Sequence, residues 1–315
     1  MKILITGIHG FVGSNLVKCL ASANEIYGLD IIAPEKEGVV KTYSWDELDK
    51  GTIPEIDAII HLAGKAHDTK NQSAADVYFK VNTELTKKVF DYFLKQPKCK
   101  KFVFFSTAKA AADRVDGVLT EDVVPAPVGP YGESKIAAER YILDALESRK
   151  DEFTDRSVYI FRPCMIHGPG NKGNLNLLYH VVKKGIPWPL GAFENRRTFT
   201  SIGNICFAVE GVLTKNVPSG IYNMGDDEAL STNELIEEIC KSLGKKARIW
   251  KLPKGMMTGV AKLGGILHLP LNPDRLQKLT ENYVSSNDKI KKALGVEKMP
   301  VDAREGLKVT LESFK

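Results

Sequence analysis

The sequence predicts an α/β protein built on a doubly wound parallel sheet, with a smaller, mixed C-terminal domain. Three observations predict it. Short apolar runs alternate with helical patterns through the first half of the chain. The first run ends in a glycine cluster, Gly7-Ile8-His9-Gly10-Phe11-Val12-Gly13. From about His167 the strict alternation fades, and Gly and Pro crowd the chain at Gly168-Pro169-Gly170 and Pro187-Trp188-Pro189. The expected division is 1–165 and 166–315, with the segment from about 198 to 222 a candidate to pack back onto the first unit.

Lys2 to Thr6 is apolar and short, fit for a strand buried in a parallel sheet. The glycines follow, then a helical pattern (Phe11, Leu16, Val17, Leu20), then a second strand, Glu25 to Leu29, ending at Asp30. The order of strand, glycine turn, helix, strand and acid describes a Rossmann-type dinucleotide site. The glycines allow a tight turn, close approach of backbone to a pyrophosphate, and close packing of helix on strand. The amides at the helix start would hold the pyrophosphate. The spacing is G-x-x-G-x-x-G. Asp30 falls where an acid accepts ribose hydroxyls; its carboxylate would repel a 2′-phosphate and no Arg directly follows it, which favours NAD over NADP.

The alternation continues. Strands are expected at Asp57–Leu62, Lys101–Phe105 and Ser157–Phe161, and helices at Asp76–Leu94 and from Tyr131, just after Pro130, to about Arg149. Ligands bind such sheets at the carboxyl ends of the strands. The glycine loop, Ala63-Gly64, Ser106-Thr107 and Arg162-Pro163 all fall there. Tyr131 and Lys135, four apart, share one helix face. An ammonium beside a phenol favours the phenolate, so the pair can exchange protons with a substrate hydroxyl near neutral pH.

Composition excludes other classes. The net charge of +5 is mild, with no dense Lys/Arg stripe, so no nucleic acid partner is expected. Five scattered cysteines without a C-x-x-C pair read as reduced thiols in a cytoplasmic protein. The N-terminus runs directly into a strand, so no cleavable signal is expected, and no apolar run is long enough for an integral membrane segment. His61 and His67 lack a matching Cys or acid cluster, so no metal is expected.

This layout resembles the extended short-chain dehydrogenase/reductase family in its nucleotide-sugar epimerase/dehydratase branch. The matching residues are Thr6 to Gly13, His61-Leu62-Ala63-Gly64, Asn82, Ser106-Thr107-Ala108, Tyr131 to Lys135, Arg162-Pro163, His167 to Gly170, Arg197, and Ile221 to Gly225. The resemblance implies that Tyr131 is the catalytic acid/base, that Lys135 holds the nicotinamide ribose, and that Thr107 orients the substrate's 4-hydroxyl, with Ser106 the lesser candidate. It implies NAD contacts from Gly7, His9, Gly10, Phe11, Val12, Asp30, Leu62, Ala63, Gly64, Asn82, Tyr131, Lys135 and Pro163. His61 and Asn82 also have plainer readings as core or helix-face residues. The sugar 4,6-dehydratases carry an Asp-Glu pair after the catalytic Thr; here Ala108 and Lys109 follow Thr107, which argues against dehydration. Lys109, and the stretch from Phe161 to Asn174, are similar to a bacterial subgroup of UDP-N-acetylhexosamine 4-epimerases and 4-keto reductases serving surface-polysaccharide synthesis.

The second half should bind the sugar nucleotide. Candidate substrate contacts are Thr107, Lys109, Asn174, Arg197 and Arg275, Arg being suited to a diphosphate. Asn174 to Lys184 reads as a short helix, Lys245 to Ile249 as a small strand, and Ser231-Thr232-Asn233-Glu234 as a capping box. Gly255 to Leu271 is apolar and reads as a packed helix of the small domain. The competing reading, a membrane-surface helix for a lipid-linked substrate, has only Lys254, Lys262 and His268 for its polar face. Three functions compete: a UDP-N-acetylhexosamine 4-epimerase retaining NAD, a 4-keto reductase consuming NADH or NADPH, and a dinucleotide-binding sensor without turnover. Family resemblance also implies a homodimer, with the helices near Asp76–Leu94 and Tyr131–Arg149 as the pairing surface.

Overall fold

The computed structural model describes residues 1–65, 74–267 and 271–315, so His67 and His268 lie outside the described residues. The strands are β1 (Lys2–Thr6), β2 (Glu25–Leu29), β3 (Lys41–Tyr43), β4 (Ala58–His61), β5 (Lys101–Phe105), β6 (Val118–Leu119), β7 (Ser157–Pro163), β8 (Met165–His167), β9 (Phe199–Ser201), β10 (Gly220–Met224) and β11 (Val284–Ser285). The helices are α1 (Phe11–Leu20), α2 (Trp45–Asp49), α3 (Ala75–Tyr78), α4 (Leu85–Leu94), α5 (Pro130–Ser148), α6 (Asn174–Lys183), α7 (Ile202–Thr214), α8 (Thr232–Ser242), α9 (Lys254–Ile266), α10 (Pro273–Thr280), α11 (Asp288–Leu294) and α12 (Ala303–Glu312).

Seven strands form one parallel sheet in the order β10-β7-β5-β4-β1-β2-β3. Their apolar residues are buried on both faces, as a sheet covered by helices requires. On one face α1, α7 and α11 enclose Ile3, Ile5, Val103 and Phe161; on the other, α4 and α5 enclose Leu4, Ile59, Phe102 and Phe104. Thr6 pairs with His61, His61 with Phe104, and Phe104 with Ile160. This register brings the carboxyl ends of β1, β4, β5 and β7 to one edge. The seventh strand, β10, comes from far along the chain and hydrogen-bonds beside β7. A third apolar cluster, around Leu175, Tyr179, Leu235, Ile239 and Leu307, is built by α6, α8, α9, α10 and α12.

Several expectations are corrected. The short strand β3 was not foreseen in a stretch of only three residues. Lys245 to Ile249 forms no strand; only an isolated bridge joins Ile249 to Trp188. Cys19 and Cys206 are not free thiols. They form a disulfide between α1 and α7, with Cα atoms 6.3 Å apart across 187 residues of sequence, a proximity that only helix packing produces. Cys99, Cys164 and Cys240 are free. Finally, α9 does not pack as an apolar helix should. Its buried positions are Met257, Ala261 and Gly264, while Met256, Val260, Leu263 and Ile266 face solvent.

Candidate active site

The glycine turn begins where β1 ends. Gly7 has φ +69°, a conformation L side chains rarely adopt, and its N–H donates to the carbonyl of Leu29 at 2.8 Å. A Cβ on Gly13 would lie 2.5 Å from the Gly7 carbonyl oxygen and 2.8 Å from Cα of Ile8. Helix and strand therefore approach as closely as only glycine permits. Gly10 caps α1 without any side-chain hydrogen bond, leaving first-turn amides available to an anion. Phe11 lies beside Gly168 and Gly170, and Asn15 donates to the Pro169 carbonyl at 3.0 Å, joining this turn to the loop after β8. Val12 packs on the sheet core. At the end of β2, the Asp30 carboxylate accepts from the amides of His9 (3.0 Å) and Ile31 (2.7 Å). The residues present thus fit a dinucleotide: a cradle without Cβ atoms, free amides, and a fixed acid at the ribose end. Lys36, which belongs to no motif, donates to Ser14 Oγ at 2.7 Å. Its pKa is lowered by burial and by Lys18 and drawn back up by Asp30.

Behind the turn lies a buried polar chain. Thr86 Oγ1 donates to the Asn82 carbonyl (2.7 Å), so it accepts from His61 Nε2–H (2.9 Å). The other imidazole nitrogen then accepts from Thr6 Oγ1 (2.7 Å), whose oxygen receives the amides of Leu62 (3.2 Å) and Ala63 (3.0 Å). Burial, with the Lys135 charge behind it, pushes the His61 pKa down to about 3, so the ring is neutral. His61 is therefore a core residue that fixes the Leu62–Ala63 backbone.

The expected single helix from Asp76 to Leu94 is interrupted. Residues Phe79–Glu84 form a π-helical turn between α3 and α4. Such turns widen the helix and re-aim a side chain. Here the residue concerned is Asn82, fully buried, which accepts from the Lys65 amide (2.7 Å) and donates to the Lys65 carbonyl (3.2 Å) and Ser134 Oγ (3.0 Å). Ser134 Oγ donates in turn to the Tyr131 carbonyl at 2.9 Å.

Tyr131 and Lys135 stand one turn apart near the start of α5. The Tyr131 side chain hydrogen-bonds to Thr107, and its ring meets that of Tyr78 edge-on with centroids 6.3 Å apart. The Tyr131 pKa is raised by burial, with the Thr107 bond pulling it the other way. This differs from the expectation of a phenol acidified by Lys135: in this structure desolvation dominates. Lys135 Nζ donates to the Phe105 carbonyl at 2.9 Å and lies 4.9 Å from the centre of the Phe104 ring. Burial lowers its pKa to about 8, against an opposing pull from Glu139. Glu139, one further turn along the same face, is fully buried and accepts from Ser106 Oγ and from Arg162 (Nη2 at 2.5 Å). Ser106 is thus tied to Glu139, and Thr107 is the hydroxyl that meets Tyr131. Sequence reasoning missed Glu139, although the four-residue spacing Tyr131, Lys135, Glu139 would have found it.

The second-half candidates are placed less closely. Lys109 Nζ donates to Asp113 (carbonyl 2.6 Å, carboxylate 3.1 Å) and lies 4.7 Å from the Tyr283 ring centre. Arg197 pairs its backbone with Leu230 and Tyr283 and donates from Nη1 to the Lys278 carbonyl at 2.5 Å. Its pKa is lowered by burial. Both cations influence the half-buried Cys164, which follows Pro163 at the end of β7. Asn174 and Arg275 are exposed in the first turns of α6 and α10, outside the network above. Asn171, left without a role by the sequence, shapes the loop between β8 and α6: it donates to the Ile166 carbonyl and receives the Gly173 amide.

A family model, NAD dependent epimerase/dehydratase, matches residues 3–225, which span the glycine turn, Thr107, Tyr131, Lys135 and the seventh strand. The chain belongs to this family. It is accordingly an NAD-dependent enzyme of the extended short-chain dehydrogenase/reductase type. Among its relatives, a UDP-glucose 4-epimerase from Vibrio cholerae is 29% identical over 99% of this chain and 95% of its own. An N-acetyl-α-D-glucosaminyl-diphospho-ditrans,octacis-undecaprenol 4-epimerase from Escherichia coli O157:H7 is 28% identical over 92% of this chain and 85% of its own. Among solved structures, MoeE5 in complex with UDP-glucuronic acid and NAD superposes with TM-score 0.77 at 22% identity, covering 99% of this chain and 98% of that one. That structure shares this fold along nearly the whole chain, including the segments after residue 225.

Proposed function

We propose that this protein is an NAD-dependent 4-epimerase of a UDP-sugar, namely UDP-N-acetylglucosamine and UDP-N-acetylgalactosamine, serving surface-polysaccharide synthesis. The observation that carries the reading is the buried Tyr131 hydroxyl bonded to Thr107, with Lys135 one turn away and anchored to the Phe105 carbonyl. Tyr131 takes the proton of the sugar's 4-hydroxyl and returns it to the re-formed alcohol. Thr107 holds the oxygen at carbon 4 in both directions. Burial raises the Tyr131 pKa, so a phenolate there needs added positive charge; Lys135, one turn along α5 with a pKa of about 8, is protonated near pH 7 and would supply it. NAD, when bound, would supply the reversible hydride acceptor. Gly7, Gly10, Phe11, Val12, Asp30, Ala63 and Gly64 line the place where it would lie. Arg197 and Lys109 supply charge for the diphosphate, so that the nucleotide is held while the keto sugar turns over between its two faces.

Dehydration is disfavoured because no acid pair follows Thr107: the next two residues are Ala108 and Lys109. A second reading has its own support. The Escherichia coli relative's name places its N-acetylglucosaminyl group on undecaprenyl diphosphate, a ligand offering the same diphosphate and the same carbon 4. The test is purified protein without added cofactor, mixed with UDP-N-acetylglucosamine and followed by proton NMR. Formation of UDP-N-acetylgalactosamine supports the UDP-sugar epimerase. Turnover only of the lipid-linked sugar supports the second reading. Reduction of a 4-keto sugar at the expense of added NADH, with no epimerisation, overturns both.

A further inference from the structure

The structure turns the large apolar side chains of α9 outward. Met256, Val260, Leu263 and Leu267 recur at helical spacing along one stripe, and Ile266 flanks it. Leu263 is 61% exposed, Ile266 73% and Leu267 65%. The side facing the protein is made of Met257, Ala261 and Gly264. A surface helix of a globular protein buries its large apolar residues and exposes its small or polar ones; α9 does the reverse.

Charge supplies the second observation. Between Glu238 and Asp274 the chain carries seven Lys and Arg, from Lys241 to Lys262, and no Asp or Glu. The whole chain carries +5, so these residues hold +7 and everything else sums to −2. All seven cations are exposed, and among the described residues only Lys241 is drawn to an acid, Glu238, at 3.7 Å. Trp250, 54% exposed, stands in the same stretch just before α9.

We propose that α9 and its cationic approach dock this enzyme on the surface of an anionic lipid bilayer. The apolar stripe enters the headgroup and acyl boundary, Trp250 sits at headgroup level, and the cations meet lipid phosphates. A second copy of the chain fits the surface worse, because it would set two +7 segments against each other. The surface is independent of the sugar the site accepts. No helix among the described residues is long and apolar enough to cross a membrane, so contact would be peripheral.

The test is flotation of the full chain with vesicles of phosphatidylcholine alone or mixed equally with phosphatidylglycerol. The wild type is expected to float with the mixed vesicles, to stay behind with phosphatidylcholine, and to be released by molar salt. The double variant Leu263→Gln/Leu267→Gln should bind at least about 10-fold less, because each leucine withdrawn from water contributes roughly that factor. Its thermal melt should match the wild type, since both side chains are exposed. Wild type that ignores anionic vesicles overturns the proposal, as does a variant that floats equally well. Sedimentation showing that the variant breaks up a self-associated species, with vesicle binding unchanged, also overturns it and makes the stripe a contact between copies.

Discussion

The backbone of Gly64 lies directly against the ammonium of Lys135. A Cβ on Gly64 would stand 3.2 Å from Lys135 Nζ and 2.9 Å from Asn82 Oδ1. Lysine can give way; Asn82, held by Lys65 and Ser134, cannot. Gly64→Ala should therefore displace the pair and destabilise the fold by about 1–3 kcal/mol. Urea unfolding and kcat should fall together. Full activity with unchanged stability would show that this contact does not position Lys135.

Tyr131→Phe removes one hydroxyl from a half-buried ring. The lost bond to Thr107 should cost about 1 kcal/mol of stability. Turnover should fall by roughly 10²–10⁴-fold, the contribution typical of a positioned acid/base. Steady-state assays on wild type and variant decide this, and undiminished turnover would remove Tyr131 from the mechanism.

Glu139 and Arg162 are both buried, joined at 2.5 Å, with Glu139 also holding Ser106. Glu139→Gln keeps the shape but leaves the guanidinium without its counter-charge, an expected loss of about 3–5 kcal/mol. Removing both charges in Glu139→Gln/Arg162→Met should cost less than the sum of the single changes. Strict additivity in denaturant titrations would show that the pair is not energetically coupled. Glu139 also supports the Lys135 charge, so its loss should move the Lys135 pKa below about 8.

His61 should make the fold acid-sensitive. Its pKa is lowered from 6.5 to about 3 in the folded chain, so below pH 6.5 the unfolded chain binds a proton that the native chain does not. The contribution of this neutral imidazole is complete above pH 6.5 and is lost as pH falls toward about 3, at up to about 1.4 kcal/mol per pH unit. His61→Gln should be less stable at neutral pH and show a flatter decline across that window. Equal slopes in urea titrations at stepped pH would refute this.

Much of the sheet was legible because its signals are local. β1, β2 and β5 fall on the expected residues, and β4 and α5 differ only at their ends. Buried parallel strands are short apolar runs, and a glycine turn is written in consecutive residues. The capping box at Ser231 and Glu234 was equally local and formed as read. The π-helical turn at Asn82 was not legible, since its cause is the fit of one side chain between Lys65 and Ser134, residues remote in sequence.

The sequence by itself determined the alternating order, the glycine cradle, the acid after β2, and the Tyr131–Lys135 pair on one helix face. These depend on spacing along the chain. The family resemblance already preferred Thr107 to Ser106, and the tertiary structure supplies the physical reason: Glu139, itself paired with Arg162, claims Ser106 from an element tens of residues away. Only the tertiary structure decided that Cys19 reaches Cys206 and that Leu263 of α9 and Leu267 just after it point to solvent. In each case the deciding quantity is which surfaces compete for burial once the chain is compact, and neighbouring residues carry no record of that competition.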